Sequence, residues 1–97
     1  MGKNVLITGG ASGIGRIMGR ICLEKGAANL IVWDISQTNI DITEAELGSV
    51  KPNVKGIAQG HITSQIVNVA DAQAISSAYE RVKREVGDVD ILINCAG

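Results

Sequence analysis

Between Thr8 and Gly19 the chain places glycine at positions 9, 10, 13, 15 and 19, most of them within Thr8-Gly9-Gly10-Ala11-Ser12-Gly13-Ile14-Gly15. Such a run, set after an apolar stretch and before a helical stripe, leaves backbone N–H groups bare at a helix start, where the aligned peptide dipoles favour an anion. Without Cβ atoms the backbone can come close to a diphosphate, or strand and helix can pack close together. A tight turn with no ligand is the plainer use of the same residues. The pattern G-x-G-x-x-G does not fit. A triphosphate loop does not fit either, because Gly10-x-x-x-x-Gly15 is followed by Arg16-Ile17 and not by Lys and Ser or Thr. Asp34 follows Gly15 by nineteen residues, close to the ~20 at which an acid meets the ribose of a dinucleotide. Its carboxylate can accept from both ribose hydroxyls and would repel a 2′-phosphate. Capping of the following helix is the alternative role.

The elements that must carry these groups alternate in period. Val5-Leu6-Ile7-Thr8 is a continuous apolar run, as in a strand buried on both faces. Ile14, Ile17, Met18, Ile21 and Cys22 form a stripe predicting a helix that faces a core, with Gly26 as its stop. Leu30 to Asp34 reads as a second strand. A weaker helix is expected between Gln37 and Leu47, with Glu44 and Glu46 outward, then a loop from Gly48 to Gly60 around the only proline, Pro52. His61 to Val67 is predicted as the third strand, with Ile66-Val67 its firmest part. Asp71 suits an N-cap. The stripe Ile75, Ala78, Tyr79, Val82 and Val86 predicts a third helix, with Glu80 and Arg84 as an exposed i,i+4 pair and Gly87 as its end. Val89 to Asn94 completes β-α-β-α-β-α-β. Alternation of this kind implies an α/β fold with a parallel sheet, and the doubly wound (Rossmann) arrangement orders the strands 3-2-1-4, with ligand at the carboxyl ends of strands 1 and 4. Residues 1–97 are expected to form one dinucleotide-binding domain.

The segment T-G-x-x-x-G-I-G at residues 8 to 15 resembles the short-chain dehydrogenase/reductase family, and three further positions extend the resemblance along the whole chain. Asp34 closes the second strand. Asn68-Val69 stands where the family usually has Asp-Val, an acid and a backbone N–H that meet the adenine. Asn68 offers an amide oxygen without charge, a weaker acceptor, so an adenine contact and a strand-end turn both remain open for it. Asn94-Cys95-Ala96-Gly97 is similar to the family's N-[NC]-A-G motif, which implies that Asn94 ties the fourth strand to its neighbour and that Ala96 and Gly97 let the backbone pass close to the cofactor ribose.

The resemblance implies a nicotinamide cofactor held by Gly9, Ser12, Gly13, Ile14, Gly15, Asp34, Ile35, Asn68, Val69, Asn94, Ala96 and Gly97. Ser12 and Ile35 occupy places where NADP-preferring relatives often carry a basic residue. Neither is basic, so NAD(H) is expected. The implied parent enzyme moves a hydride between NAD(H) and a small-molecule alcohol or carbonyl, and assembles as a homo-oligomer at full length. The family's catalytic Asn, Ser, Tyr and Lys would follow Gly97, so the chain is expected to be an incomplete, inactive cofactor-binding half with no catalytic residue of its own. A stand-alone, non-catalytic nucleotide-binding module is the alternative. Tyr79-x-x-x-Lys83 has the spacing of the family's catalytic pair but precedes the N-A-G motif, on the wrong helix for that role. Trp33-Asp34-Ile35 looks similar to the retinol and 17β-hydroxysteroid branch.

Composition excludes other classes. A net charge of −1 gives no footprint for nucleic acid or an anionic membrane, and no apolar run approaches the ~18 residues of a membrane span. Cys22 and Cys95, the only cysteines, lack metal-ligand spacing and read as reduced thiols; His61, the only histidine, has no acid or cysteine at ligand spacing. No metal site is expected, and a cytoplasmic location is. Ile91-Leu92-Ile93, apolar on both faces, predicts an exposed edge that makes the isolated chain marginally stable or self-associating.

Overall fold

The computed structural model describes residues 2 to 95, so the expectations for Ala96 and Gly97 lie outside the described residues. Strands β1 (Asn4–Thr8), β2 (Asn29–Asp34), β3 (His61–Ile66) and β4 (Ile91–Asn94) alternate with helices α1 (Gly13–Glu24), α2 (Gln37–Leu47) and α3 (Ala72–Glu85). All pairings are parallel, in the order β3-β2-β1-β4. The chain steps from β1 out to β2 and β3, then returns past β1 to lay down β4. The carboxyl ends of β1 and β4 therefore flank the point where the winding reverses, the place where open sheets of this type leave a crevice for ligand.

Period-two alternation divides the sheet between two cores. Val5, Ile7, Leu30 and Val32 face α1 and α2, packing with Leu23, Ile40 and Leu47. Leu6, Ile31 and Trp33 face α3, packing with Ala78 and Val82. Strands buried on both faces must read as continuous apolar runs, which is why Val5-Leu6-Ile7 and Leu30-Ile31-Val32-Trp33 show no alternation in sequence. Ser12, Ser36 and Asp71 cap the three helices, each side chain accepting first-turn N–H groups.

Several sequence expectations shift. The α1 stripe points the other way: Ile14, Ile17 and Ile21 are 71%, 62% and 40% exposed, while Gly15, Gly19 and Leu23 are the buried residues. Met18 and Cys22 pack only on the flank. The helix sits on the sheet through its smallest residues: a Cβ on Gly19 would lie 3.0 Å from Leu30 Cδ2 and 3.2 Å from Leu47 Cδ1. An approach that close leaves no room beneath the helix for isoleucine. Tyr79 is half-exposed, not core, and Ile66 is exposed whereas Val67 is buried. Along α3 the ion pair is Arg81–Glu85 at 2.7 Å, one residue beyond the expected Glu80–Arg84. Both pairs lie on the solvated face, where such pairs are worth only a few tenths of a kcal/mol, roughly, so side-chain rotamers decide between them.

Candidate functional site

The turn after β1 begins with Gly9 at φ +67°, a conformation that a side chain would strain. Gly9 and Gly10 both direct their N–H groups to the Trp33 carbonyl, at 2.8 and 3.2 Å, which draws the turn over the end of β2. The Ser12 hydroxyl donates to the Gly9 carbonyl at 2.7 Å and accepts the Gly15 N–H at 3.2 Å. Arg16 N–H meets the Ser12 carbonyl. A Cβ on Gly15 would fall on the Gly9 carbonyl oxygen, so this glycine lets the helix start press against the turn. At Gly13, by contrast, a Cβ would meet nothing within 4 Å. Among the described residues the N–H groups of Gly13 and Ile14 have no partner. They are the unfilled donors of the helix N-terminus, where the dipole adds a partial positive charge.

Asp34 stands opposite. Its Oδ2 accepts the Ala11 N–H at 3.1 Å and its Oδ1 the Ser36 N–H at 3.0 Å. The helix cap itself is Ser36, so Asp34 is not the capping residue. Each carboxylate oxygen keeps a second lone pair for a further donor. Between this acid and the turn lies a cavity of about 390 Å³, within the ~300–1,000 Å³ typical of small-molecule sites. Gly9, Ser12, Asp34, Ile35, Asn68, Val69 and Cys95 line it, with Trp33, Val67 and Ala70. No lysine or arginine is among them. The Trp33 ring is in the core, and its indole N–H donates to Gln65 Oε1 at 2.8 Å. A second, more apolar cavity of about 540 Å³ opens on the α3 side between Tyr79, Ile75 and Leu92.

Ten of the twelve sequence-predicted site residues are among those described. The structure brings Gly9, Ser12, Asp34, Ile35, Asn68 and Val69 around one cavity, with Gly13, Ile14 and Gly15 at the adjoining helix start. Asn94 does tie β4 to β1: its Oδ1 accepts from the Thr8 hydroxyl at 2.6 Å, where the two residues pair in register. Asn68 acts first as a turn residue, its Oδ1 accepting the Ala70 N–H at 2.9 Å. Ser12 likewise spends its hydroxyl within the turn. Lys83 lies 3.6 Å from Asp88, and Tyr79 faces the second cavity, so that pair does not meet the candidate site. Burial raises the Cys22 thiol above its ordinary pKa, consistent with a small apolar residue. His61 is an exposed strand-start residue whose N–H donates to the Ala28 carbonyl. Among the described residues no cluster of metal ligands occurs and no helix is long and apolar enough to cross a membrane.

Sequence reasoning missed Arg16. Its guanidinium donates to the Ala11 carbonyl at 3.0 Å and to the Thr43 hydroxyl at 3.1 Å, and lies 3.5 Å from the Glu46 carboxylate. A basic residue one turn into the helix was the only signal available.

Comparison with known proteins agrees with this geometry. The chain is 35% identical over 96 residues to a 3-oxoacyl-(acyl-carrier-protein) reductase of Thermotoga maritima, covering 99% of this chain and 35% of that protein. It is 38% identical over 96 residues to the mouse estradiol 17-beta-dehydrogenase 11, covering 99% of this chain and 29% of that one. It thus spans about a third of the length of these curated relatives. Among solved structures, a short-chain type dehydrogenase/reductase from Mycobacterium ulcerans superposes with a TM-score of 0.84 at 22% identity, over 98% of this chain and 32% of that one. The menthone neomenthol reductase of Mentha piperita gives 0.78 at 24%, over 100% and 32%. At those identities the likeness speaks for the fold. The sequence model of the family described as short chain dehydrogenase matches residues 3–97, and with the sheet order and the glycine turn this shows that the chain belongs to the short-chain dehydrogenase family.

Proposed function

We propose that this chain binds NAD(H) as the cofactor-holding part of an oxidoreductase that moves a hydride between NAD(H) and an alcohol or carbonyl compound. One observation carries the reading. The N–H groups of Gly13 and Ile14, without a partner among the described residues, stand at the helix start directly after Ser12, which lines the same crevice as the Asp34 carboxylate, and that lining holds no basic side chain. The donors suit the diphosphate, and the open space beside Gly13 leaves room for it. The spare lone pairs of Asp34 suit the adenosine ribose hydroxyls, and its charge opposes a 2′-phosphate that nothing in the lining would neutralise. Val69, Ile35 and Ala70 offer apolar surface for the adenine, with Asn68 at the rim. When bound, the cofactor supplies the hydride chemistry.

Within these residues the reading assigns binding and no catalytic group. The names of the relatives, a 3-oxoacyl reductase and an estradiol dehydrogenase, motivate the alcohol–carbonyl substrate class, and a homo-oligomeric, cytoplasmic enzyme is the setting proposed for it. Titration calorimetry with NAD⁺ and NADP⁺ tests the assignment. NAD⁺ is expected to bind at least about tenfold more tightly, the equivalent of one lost charge-assisted contact. Equal affinity, a preference for NADP⁺, or no heat with either would overturn it.

A further inference from the structure

Arg16 follows the glycine turn and takes no part in the ligand contacts assigned above, yet it joins three elements around the cradle. Its Nη2 holds the Ala11 carbonyl, its Nε holds the Thr43 hydroxyl and its Nη1 faces Glu46. Thr43 is fully buried on α2, and its own hydroxyl donates onward to the Asn39 carbonyl at 2.8 Å. Ala11, itself fully buried, gives its N–H to Asp34. One residue of the turn is thus gripped at its N–H by the end of β2 and at its C=O by a cation anchored in α2.

The planar guanidinium suits this task, since it reaches acceptors in different directions at once, whereas an ammonium on a flexible stem would satisfy fewer of them in fixed geometry. With those acceptors in place, it is committed within the protein. Its side chain is only 23% exposed, so solvent screens these contacts less than it would on an open surface. A glycine-rich turn loses much backbone freedom when it closes on a ligand, and a turn ordered beforehand avoids part of that cost.

We propose that Arg16 is a positioning residue: it locks residues 9 to 12 against α2 and Asp34, so that the diphosphate donors and the ribose acceptor are assembled as one unit before the nucleotide arrives. The proposal takes from the NAD(H) reading what the cradle holds, and from the Arg16 contacts alone how the cradle is held.

The test compares the full chain with Arg16→Ala, Arg16→Lys, Thr43→Val and Thr43→Ser. Amide hydrogen exchange is followed without nucleotide, and ADP and adenosine are titrated separately. In Arg16→Ala the amides of Gly9, Ala11, Ser12 and Gly15 should exchange about tenfold faster or more, while those of Leu30 to Val32 in the core strand keep their rates. Affinity for ADP should fall about tenfold and that for adenosine by a clearly smaller factor. Thr43→Val should move both readouts in the same direction, Thr43→Ser should restore the native values, and Arg16→Lys should fall between. Should Arg16→Ala lose the core-strand protection and unfold, the Thr43 pair decides. Unchanged turn exchange, equal losses for ADP and adenosine, or identical behaviour of Thr43→Val and Thr43→Ser would overturn the proposal. If the native chain binds no ADP, the NAD(H) reading fails instead, and turn exchange alone then supports or rejects the clamp.

Discussion

The Ala11 N–H donates to the Asp34 carboxylate at 3.1 Å, so the acid that ends β2 and the glycine turn that follows β1 form one hydrogen-bonded unit. The other carboxylate oxygen takes the Ser36 N–H at 3.0 Å and fixes the entry into α2. A residue chosen by sequence spacing for a ligand is thereby also a structural joint. Asp34→Ala should cost stability, about 1–3 kcal/mol in urea denaturation, because it strands the N–H of a fully buried residue. It should also narrow the preference for NAD⁺ over NADP⁺. Asp34→Asn, which keeps one acceptor oxygen, should recover part of the stability and little of the preference.

Gly13 and Gly15 separate open space from packing space. Gly15→Ala drives a methyl group into the Gly9 carbonyl and is expected to destabilise by about 1–3 kcal/mol. Gly13→Ala meets open space at the first position of α1 and should leave the melting temperature equal or higher, given alanine's advantage of about 1 kcal/mol in helices. Its nucleotide affinity should nonetheless fall, since the methyl group enters the space assigned to the diphosphate. Calorimetry beside a thermal melt reads both.

Thr8 and Asn94 hold the carboxyl ends of β1 and β4 together through a 2.6 Å hydrogen bond. Thr8→Val keeps the shape and removes the donor, which should cost about 1 kcal/mol. The loss should be concentrated in faster amide exchange at Ile93 and Asn94.

Burial raises the Cys22 thiol pKa in the folded chain. The folded state therefore favours the protonated form. The stability linked to it is present below the ordinary thiol pKa and is lost as pH climbs through the raised folded value. The melting temperature should drop between neutral and alkaline pH, and Cys22→Ala should remove part of that drop. Native Cys22 should react with iodoacetamide more slowly than free cysteine at mildly alkaline pH.

Strand β4 ends the sheet with Ile91 43% and Leu92 63% exposed. An apolar parallel edge of this kind invites pairing with another chain. The 97-residue chain should self-associate in sedimentation experiments, and Leu92→Lys should shift the population toward monomer. A native sample that stays monomeric at high concentration would contradict this.

The order of elements and the sheet order were legible because each rests on local chemistry. Strands buried on both faces show as unbroken apolar runs such as Leu30 to Trp33. Ser12 and Asp71 carry cap oxygens, and the glycines fall where the turn needs them. The inward face of α1 was not legible, because glycine adds nothing to an apolar stripe and yet Gly15 and Gly19 make the contact with the turn and sheet. Ile14 and Ile17 supplied the periodicity and lie outside. Arg16 stayed hidden for a different reason: its value depends on Thr43 and Ala11, distant in sequence and joined only by the fold. Asn68 was open between two roles, and its bond to the Ala70 N–H shows the turn role.

The nucleotide assignment is tested most directly by titrating NAD⁺ into isotope-labelled protein and following backbone amide resonances. The largest shifts are expected on Gly13 and Ile14, followed by Ser12, Ile35 and Val69, and Asp34→Ala should reduce those at Ile35. Shifts gathered around Tyr79 and Leu92 instead, or none at Gly13 and Ile14 at saturation, would contradict it.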